Sequence, residues 1–422
     1  MDKPICPKFL TVLSSTPCKI DVFDYIGDMR ESKAAQGYRD AASEALLSWL
    51  KALGRADKTI FGMANATTIG YHSLHDQAID SSDCKDITGS NPGFIEDDFM
   101  WFEGAGPGRD PEMQRNRHLE ALRLAHEAGS VCGFCWHLRG KDSGSFRLRV
   151  EHGTRSGELD RDANLARQIV REIREYRQGG PIGSSLAWLT GKIDRMVIPV
   201  FNELGFPLVF RPFHEMNGAW FWWGSESICA EEYITLYRFT VDWIRGRGVK
   251  NILYAWSPNT PFCADYYPGD EWVDIVGLDS YEPGAVPWND LKTFEEDLHN
   301  LDALAKRHDK VAAICETGCR MEGDTHRYPD IVPRFWTDCV LKGIEQSGAK
   351  IGWVMSWYQI DYSRQNKSQC YIPYRGMDRA MQGGKEAMED FVKFASSSRM
   401  VLQDDLAKNG KKIQEISEIG HF

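Results

Sequence analysis

Residues 207–224 read Pro207-Leu208-Val209-Phe210-Arg211-Pro212-Phe213-His214-Glu215-Met216-Asn217-Gly218-Ala219-Trp220-Phe221-Trp222-Trp223-Gly224. The apolar run from Pro207 to Phe210, ending in Arg211-Pro212-Phe213, has the length and character of a buried strand. A carboxylic acid, Glu215, stands at its end, and four aromatic rings follow it in a loop. An acid at the rim of an aromatic platform suits the cleavage of sugar chains. The acid protonates a glycosidic oxygen while the rings stack on pyranose faces. That chemistry needs a second carboxylate. Val311-Ala312-Ala313-Ile314-Cys315 is another short apolar run, and it leads directly into Glu316-Thr317-Gly318. Each of the two acids interrupts an apolar run where an idle charge would be costly to bury, which separates this pair from the many solvated glutamates.

Short apolar runs recur along the chain. They predict strands near Thr59–Met63, Gly93–Asp97, Val131–Trp136, Pro207–Pro212, Asn251–Trp256, Asp274–Asp279, Val311–Cys315 and Ile351–Ser356. Amphipathic patterns predict helices near Arg115–Ala128, Leu186–Leu204, Glu231–Gly246, Thr293–Arg307, Ile331–Gln346 and Gly384–Ala395. Eight doubly buried strands separated by helices point to a (β/α)8 barrel, a TIM barrel, as a single catalytic domain over residues 20–397. Residues 1–19 form an N-terminal extension in this reading, and a helical stretch from Ala34 to Leu53 closes the barrel bottom. Residues 398–422 form a tail whose sparse apolar positions (Leu402, Leu406, Ile413, Ile416, Ile419) permit a helix lying on the barrel. In such barrels the site lies at the C-terminal strand ends. Glu215 and Glu316 fall there, on the fourth and seventh strands, which face each other across the mouth. Trp136-His137, Trp256, Tyr281 and Trp357 stand at other strand ends. The Gly-, Ser-, Arg- and Lys-rich connection from Leu138 to Asn164 is either a cleft-lining loop or a surface loop.

The bulk properties narrow the partners. The chain has 422 residues and a net charge of −11, with no basic stripe, so neither nucleic acid nor an anionic membrane is expected to bind it. No apolar stretch is long enough to span a bilayer. Eleven cysteines guarantee one unpaired thiol if every disulfide is internal. Most are expected to be buried thiols, with room for one or two surface disulfides. Cys132 and Cys135 lie within one strand, and alternation sends them to opposite faces, against a metal clasp or redox pair. The partner histidine of a zinc-protease motif is missing after His214-Glu215, because Gly218 occupies its place. His72 and His75 have a spacing a metal could use but no third ligand tied to them. No metal, nucleotide or other cofactor is expected. Met1-Asp2-Lys3-Pro4-Ile5-Cys6-Pro7 is not a secretory signal. Either the chain is cytoplasmic or it is a mature form that has lost a leader, and a polymeric substrate favours the extracellular alternative.

Three features frame the chemistry. Ideal alternation puts positions 211, 213 and 215 on one face, so Arg211 would point inward beneath the acids, either holding Glu316 ionised or serving as a structural ion-pair partner. Glu215 must start protonated, and desolvation by Trp220 and its neighbours plus repulsion from Glu316 would raise its pKa. Strict alternation would turn His214 away from Glu215, so only a distorted strand end lets both face the cleft.

The chain resembles glycoside hydrolase family 26, the retaining β-mannanases and relatives among the (β/α)8 glycosidases, over roughly Ile20 to Ala395. The most specific element is His214-Glu215-Met216-Asn217-Gly218 with Trp220-Phe221-Trp222-Trp223-Gly224. It is supported by Trp136-His137, Tyr254-Ala255-Trp256-Ser257-Pro258-Asn259, Asp279-Ser280-Tyr281, Glu316-Thr317-Gly318 and Trp353-Val354-Met355-Ser356-Trp357. The resemblance implies Glu215 as acid/base and Glu316 as nucleophile. It implies that His137, His214, Trp220, Tyr281 and Trp357 surround the sugar at the cleavage point, with Tyr281 donating a hydrogen bond to Glu316. Trp136, Trp223 and Arg211 are counted with the substrate-contacting set. Two departures concern the more distant sugars. Many members carry Gly-His-Gln after the first strand, where this chain has Gly62-Met63-Ala64-Asn65, and Tyr358 follows Trp357 where some members have arginine. The implied activity is a monomeric, secreted, retaining endo-β-1,4-mannanase acting on β-mannan and manno-oligosaccharides. A β-1,3-1,4-glucanase or xylanase on the same two acids, and a non-catalytic polysaccharide-binding barrel, stay open.

Overall fold

The computed structural model of the protein describes residues 37–71, 78–103, 110–148, 162–320, 332–362, 367–380 and 382–408. Eight parallel strands close into a barrel: β1 (Thr59–Ala64), β2 (Phe94–Asp98), β3 (Val131–Trp136), β4 (Leu208–Pro212), β5 (Ile252–Trp256), β6 (Ile275–Tyr281), β7 (Val311–Gly318) and β8 (Ile351–Ser356). Each pairs with the next in chain order, and β8 returns to β1 with Ile60 opposite Trp353. The expected (β/α)8 barrel is therefore observed, every strand lying within a few residues of its sequence pattern.

Burial on both faces explains why the strands read as continuous apolar runs. Ile60, Phe94, Val131, Val209, Leu253, Ile275, Val311 and Trp353, one from each strand, meet in the barrel interior. The opposite faces pack outward on helices. Phe61 of β1, for example, meets the edges of Trp336, Phe391 and Phe394 at centroid distances of 5.3–5.8 Å. The bottom is plugged by helix α1 (Ala41–Arg55), whose Leu47 and Leu50 join the interior cluster. Asp40 caps α1 by accepting from Ser43 N at 2.8 Å. The expected earlier start at Ala34 lies outside the described residues.

Three segments differ from expectation. The helix read over Leu186–Leu204 is Ser184–Lys192 and Ile198–Leu204 joined by a π-helical turn, Ile193–Val197. Pro199 follows that turn and has no N–H to return to the preceding turn, so the ladder widens there. A helix at Leu165–Arg177 was not anticipated. Its buried Leu165, Ile169, Val170 and Ile173 recur at helical spacing but are interleaved with arginines and follow a long polar connection. The start of the tail belongs to the barrel: Met400–Val401 pairs parallel with β1, and Leu402 and Leu406 are buried. The folded unit thus runs at least to residue 408. The N-terminal extension, the remaining tail positions Ile413, Ile416 and Ile419, and His72 and His75 lie outside the described residues. Among the described cysteines, Cys84, Cys132, Cys135, Cys229, Cys315, Cys319 and Cys339 are free thiols. Cys132 faces the helices, its Sγ 3.6 Å from Leu122 O, while Cys135 faces the mouth beside Trp357, as alternation predicts.

Candidate active site

Glu215 reaches the barrel mouth because β4 ends abruptly. Val209 points inward, Phe210 outward and Arg211 inward, in ordinary alternation. After Pro212 the backbone turns left-handed at Phe213 (φ 53°) and again at Glu215 (φ 54°), conformations that are costly for residues with a Cβ. Phe213 therefore does not share a face with Arg211 and Glu215. It packs into the helix layer, 6.1 and 5.9 Å from the rings of Trp222 and Trp223. This is the distorted strand end that lets both His214 and Glu215 face inward. The turn is held by Glu215 N donating to Ser257 O (2.8 Å) and Gly218 N to Glu215 O (2.9 Å). Asn217 and Asn259 lock it to the β5 loop by exchanging hydrogen bonds of 2.7 Å each. Gly218 is required by close approach, since a Cβ there would lie 2.4 Å from the Trp220 ring. Trp220 folds back over it and donates Nε1–H to Glu215 Oε2 at 2.6 Å.

Glu316 is aimed by a different device. Leu278 pairs with Ile314, but Asp279 pairs with Glu316, so Cys315 is an extra residue in β7. Without this bulge Glu316 would follow Ile314 to the outer face. With it, the carboxylate enters the barrel. Arg211 Nη2 donates to Glu316 Oε1 at 2.7 Å and Tyr281 Oη to Oε2 at 2.7 Å, so both oxygens are served by donors. Arg211 is 1% exposed and also binds Glu96 through two bonds (3.1 and 2.6 Å) and Asp279 Oδ2 (3.0 Å).

The electrostatics separate the two acids. Burial, with repulsion from Glu316 second, pushes the Glu215 carboxyl up to about 7, against the lowering effect of the Trp220 N–H. The indole thus acts in two senses, since it excludes water but its hydrogen bond favours the ionised form. Burial likewise drives the Asp279 carboxyl well up, with the Arg211 charge opposing. Burial and the Arg211 charge hold the His214 imidazole neutral. Its Nε2 lies 3.2 Å from His137 Nε2 and 3.7 Å from Glu316 Oε1. His137 Nδ1 in turn sits 2.6 Å from Asp98 Oδ2. Burial opposes ionisation of Asp98, but the His137 ring and the N–H groups of Met100 and His137 outweigh it and hold that carboxyl low.

These groups open into a cleft of about 390 Å³. Glu215, Glu316, His137, Trp220, Tyr281 and Trp357 line it. Arg211 and His214 lie behind the acids and are buried. Trp136 and Trp223, expected at the sugar, are not there. Both are fully buried, Trp136 against Phe99 and Phe210, and Trp223 against Phe213 and Phe221, with its Nε1–H on His214 O at 2.8 Å. Trp256 is buried too, against Phe262 and Tyr267. An aromatic run cannot reveal which rings turn inward, and here the first two, Trp220 and Phe221, face the cleft. The connection after β3 does line it: Phe146 and Arg147 form its wall, and Arg147 bridges to Phe221. Sequence reasoning missed Glu96 and Asp279 around Arg211, and Asp98 behind His137. The signal existed, because Glu96-Asp97-Asp98 ends an apolar strand just as Glu316 does.

Glu215, Asp279 and Glu316 each place a carboxylate oxygen within 4.8 Å of the other two. Such a trio could hold a cation, but the Arg211 guanidinium already engages Asp279 and Glu316. Chemically, one carboxyl is kept protonated and the other fully hydrogen-bonded, close enough to act on the two ends of one bond.

A model described as glycosyl hydrolase family 26 matches residues 38–322. The mannan endo-1,4-beta-mannosidase of Bifidobacterium adolescentis is 31% identical over 212 residues, 46% of this chain but 20% of its own length. The chain thus spans only a fraction of that curated relative. GH26C from a Muricauda species superposes with a TM-score of 0.70 at 26% identity, covering 88% of this chain and 94% of that one. A GH26 beta-mannanase from Bacteroides ovatus gives 0.67 at 27% identity, covering 87% and 96%.

Proposed function

The chain belongs to glycosyl hydrolase family 26, and from that membership and the cleft we propose that it is a retaining endo-β-1,4-mannanase cleaving mannan, glucomannan or galactomannan. The observation that carries this reading is the pairing of Glu215 and Glu316, whose oxygens approach within 4.8 Å in opposed environments. Retaining glycosidases work with carboxyls about 5–5.5 Å apart, whereas inversion needs about 6.5–9.5 Å to admit a water.

In the first step Glu316 attacks the anomeric carbon while Glu215 gives its proton to the leaving oxygen, forming a glycosyl ester and a shortened chain. In the second, Glu215, now ionised, takes a proton from water as that water attacks the same carbon and frees Glu316. Arg211 and Tyr281 fix the attacking carboxylate, and the Tyr281 hydroxyl remains bonded to the departing one. Trp357 and His137 cover the sugar being cleaved, and Trp220 holds the acid against the leaving unit. No step draws on a metal or cofactor. No described helix is long and apolar enough to cross a membrane. Because polymers do not enter cells intact, the chain acts outside the cell, as a monomer whose cleft is built from one copy.

Reducing-sugar release from linear mannan, lichenan and xylan tests the proposal side by side. Fast release from mannan, with the β-anomer formed first by NMR, supports it. Preference for lichenan or xylan replaces the substrate, and α-anomer formation defeats retention.

A further inference from the structure

Glu282 has no part in the steps above, yet it stands in the same cleft. It follows Tyr281 at the end of β6, lines the wall beside Glu316 and is only 7% exposed. Its carboxylate accepts no hydrogen bond from any described residue, whereas both oxygens of neighbouring Glu316 are bonded. Its backbone is left-handed at φ 57°. Bonds from Glu282 N to Gly318 O (2.9 Å) and from Ala285 N to Glu282 O (3.0 Å) hold it there. A left-handed residue with a Cβ costs stability, and such a cost persists where a ligand uses the side chain it aims into the cleft. Burial pushes this carboxyl up to about 7, with the Arg320 guanidinium opposing. Arg320 follows β7 on the same wall, its Nε 3.4 Å from Tyr371 Oη, and both residues line the cleft. An anionic acceptor and a cationic donor thus stand together beside two tyrosines. Adjacent hydroxyls of a pyranose donate and accept in that combination, and pair well with charged partners.

We propose that Glu282, with Arg320 on the same wall, grips hydroxyls of a sugar unit in the cleft and is a specificity-determining residue, a reading that rests on the polysaccharide hydrolysis proposed above. The test compares the full chain with Glu282→Gln, Glu282→Ala and Glu282→Gly. Each is assayed on whichever of mannan, lichenan and xylan the wild type cleaves best, and on its oligosaccharides, with kcat, KM and thermal midpoint measured separately. Glu282→Ala is expected to raise KM roughly 10- to 100-fold with kcat within a few-fold. Glu282→Gln, which keeps one acceptor oxygen, should fall between. Glu282→Gly should raise KM as alanine does while raising the midpoint by about 2 °C or more, because it removes the left-handed strain. A structural role predicts the opposite sign for that midpoint. Unchanged KM in Glu282→Ala, or a lower midpoint in Glu282→Gly, overturns the assignment. A wild type that prefers lichenan, with the KM pattern intact, sinks the mannan reading alone. A wild type active on mannan with unaffected variants sinks Glu282 alone. Silence on all three glycans overturns both.

Discussion

Replacing Glu215 by glutamine keeps the side-chain volume and an oxygen for the Trp220 N–H, bonded at 2.6 Å in the wild type, but removes the titrating group. The carboxyl stands at about 7 in the fold against 4.5 for a free one, so the folded chain binds this proton more tightly than the unfolded chain does. The sign follows from linkage. Below pH 4.5 the carboxyl costs nothing. Stability is lost progressively as pH rises from 4.5 to 7, and the whole penalty is present above 7. That penalty amounts to about 3 kcal/mol. Glu215→Gln escapes it. Its stability relative to wild type should therefore rise by about 2–3 kcal/mol between pH 5 and pH 8, while hydrolysis of unactivated substrate collapses. Equilibrium urea denaturation of both proteins at the two pH values measures the difference directly. An advantage equal at both pH values, or larger at pH 5, would refute the idea that this buried acid is held protonated at the expense of the fold.

Other outcomes follow from the same geometry. Glu316→Ala should lower turnover by several orders of magnitude with an unchanged thermal midpoint or a higher one, and near-wild-type hydrolysis would remove it from the mechanism. Azide or formate should partly rescue Glu215→Ala on an activated aryl glycoside, whose leaving group needs no proton; absence of rescue would count against the acid/base role. Trp220→Phe deletes a hydrogen bond to the ionised form of Glu215, so its pKa should climb by about one unit. The basic limb of kcat/KM, which falls as Glu215 deprotonates, should then move to higher pH, and a limb moving down would contradict the assigned direction. Arg211→Met strips the only described cation bonded to Glu96, Asp279 and Glu316. It should cost about 3–5 kcal/mol in denaturation experiments as well as activity.

The barrel was legible because its strands are buried on both faces, which leaves short apolar runs at regular intervals, and because a closed parallel sheet allows one connection pattern. The helix at Leu165–Arg177 was less so, since its arginines mask a sound apolar stripe. The π turn before Pro199 is a backbone response that periodicity does not carry. At the site, the two acids were readable as charges ending apolar runs, and Arg211 as an inward cation. What alternation could not supply was direction at the strand ends. Phe213 and Glu215 are left-handed, and Cys315 is an extra residue in β7. Both irregularities are departures from the period of two on which the reading of faces depends, and both aim a carboxylate. Trp136 and Trp256, by contrast, take the outer face that plain alternation from Cys135 and Ala255 gives, and Trp223 lies in a loop that carries no such period.

The two sequence departures from the family pattern acquire a physical meaning once located. Asn65, after β1, is left-handed at φ 50°. Its Nδ2 donates to Asp97 Oδ1 at 2.6 Å, and its Oδ1 accepts from Trp101 Nε1 at 3.2 Å. The Trp101 ring stands edge-on to Tyr358 at 6.0 Å, and Tyr358 packs on Trp357 at 4.9 Å. Asn65 and Tyr358 are therefore joined through Trp101 in one packed chain, Asp97–Asn65–Trp101–Tyr358. Where an arginine would extend a flexible charge, this chain presents an aromatic ring braced by a neighbour and, through Asn65, by a buried carboxylate. The cleft after β8 thus presents the rings of Trp357 and Tyr358, while the charged Glu282 and Arg320 line it after β6 and β7. A ring contributes stacking with little directional preference, and a charged pair contributes direction. Discrimination among sugars should accordingly reside on the β6–β7 wall rather than after β8, and exchanging Tyr358 for alanine should weaken binding of different glycans by similar factors.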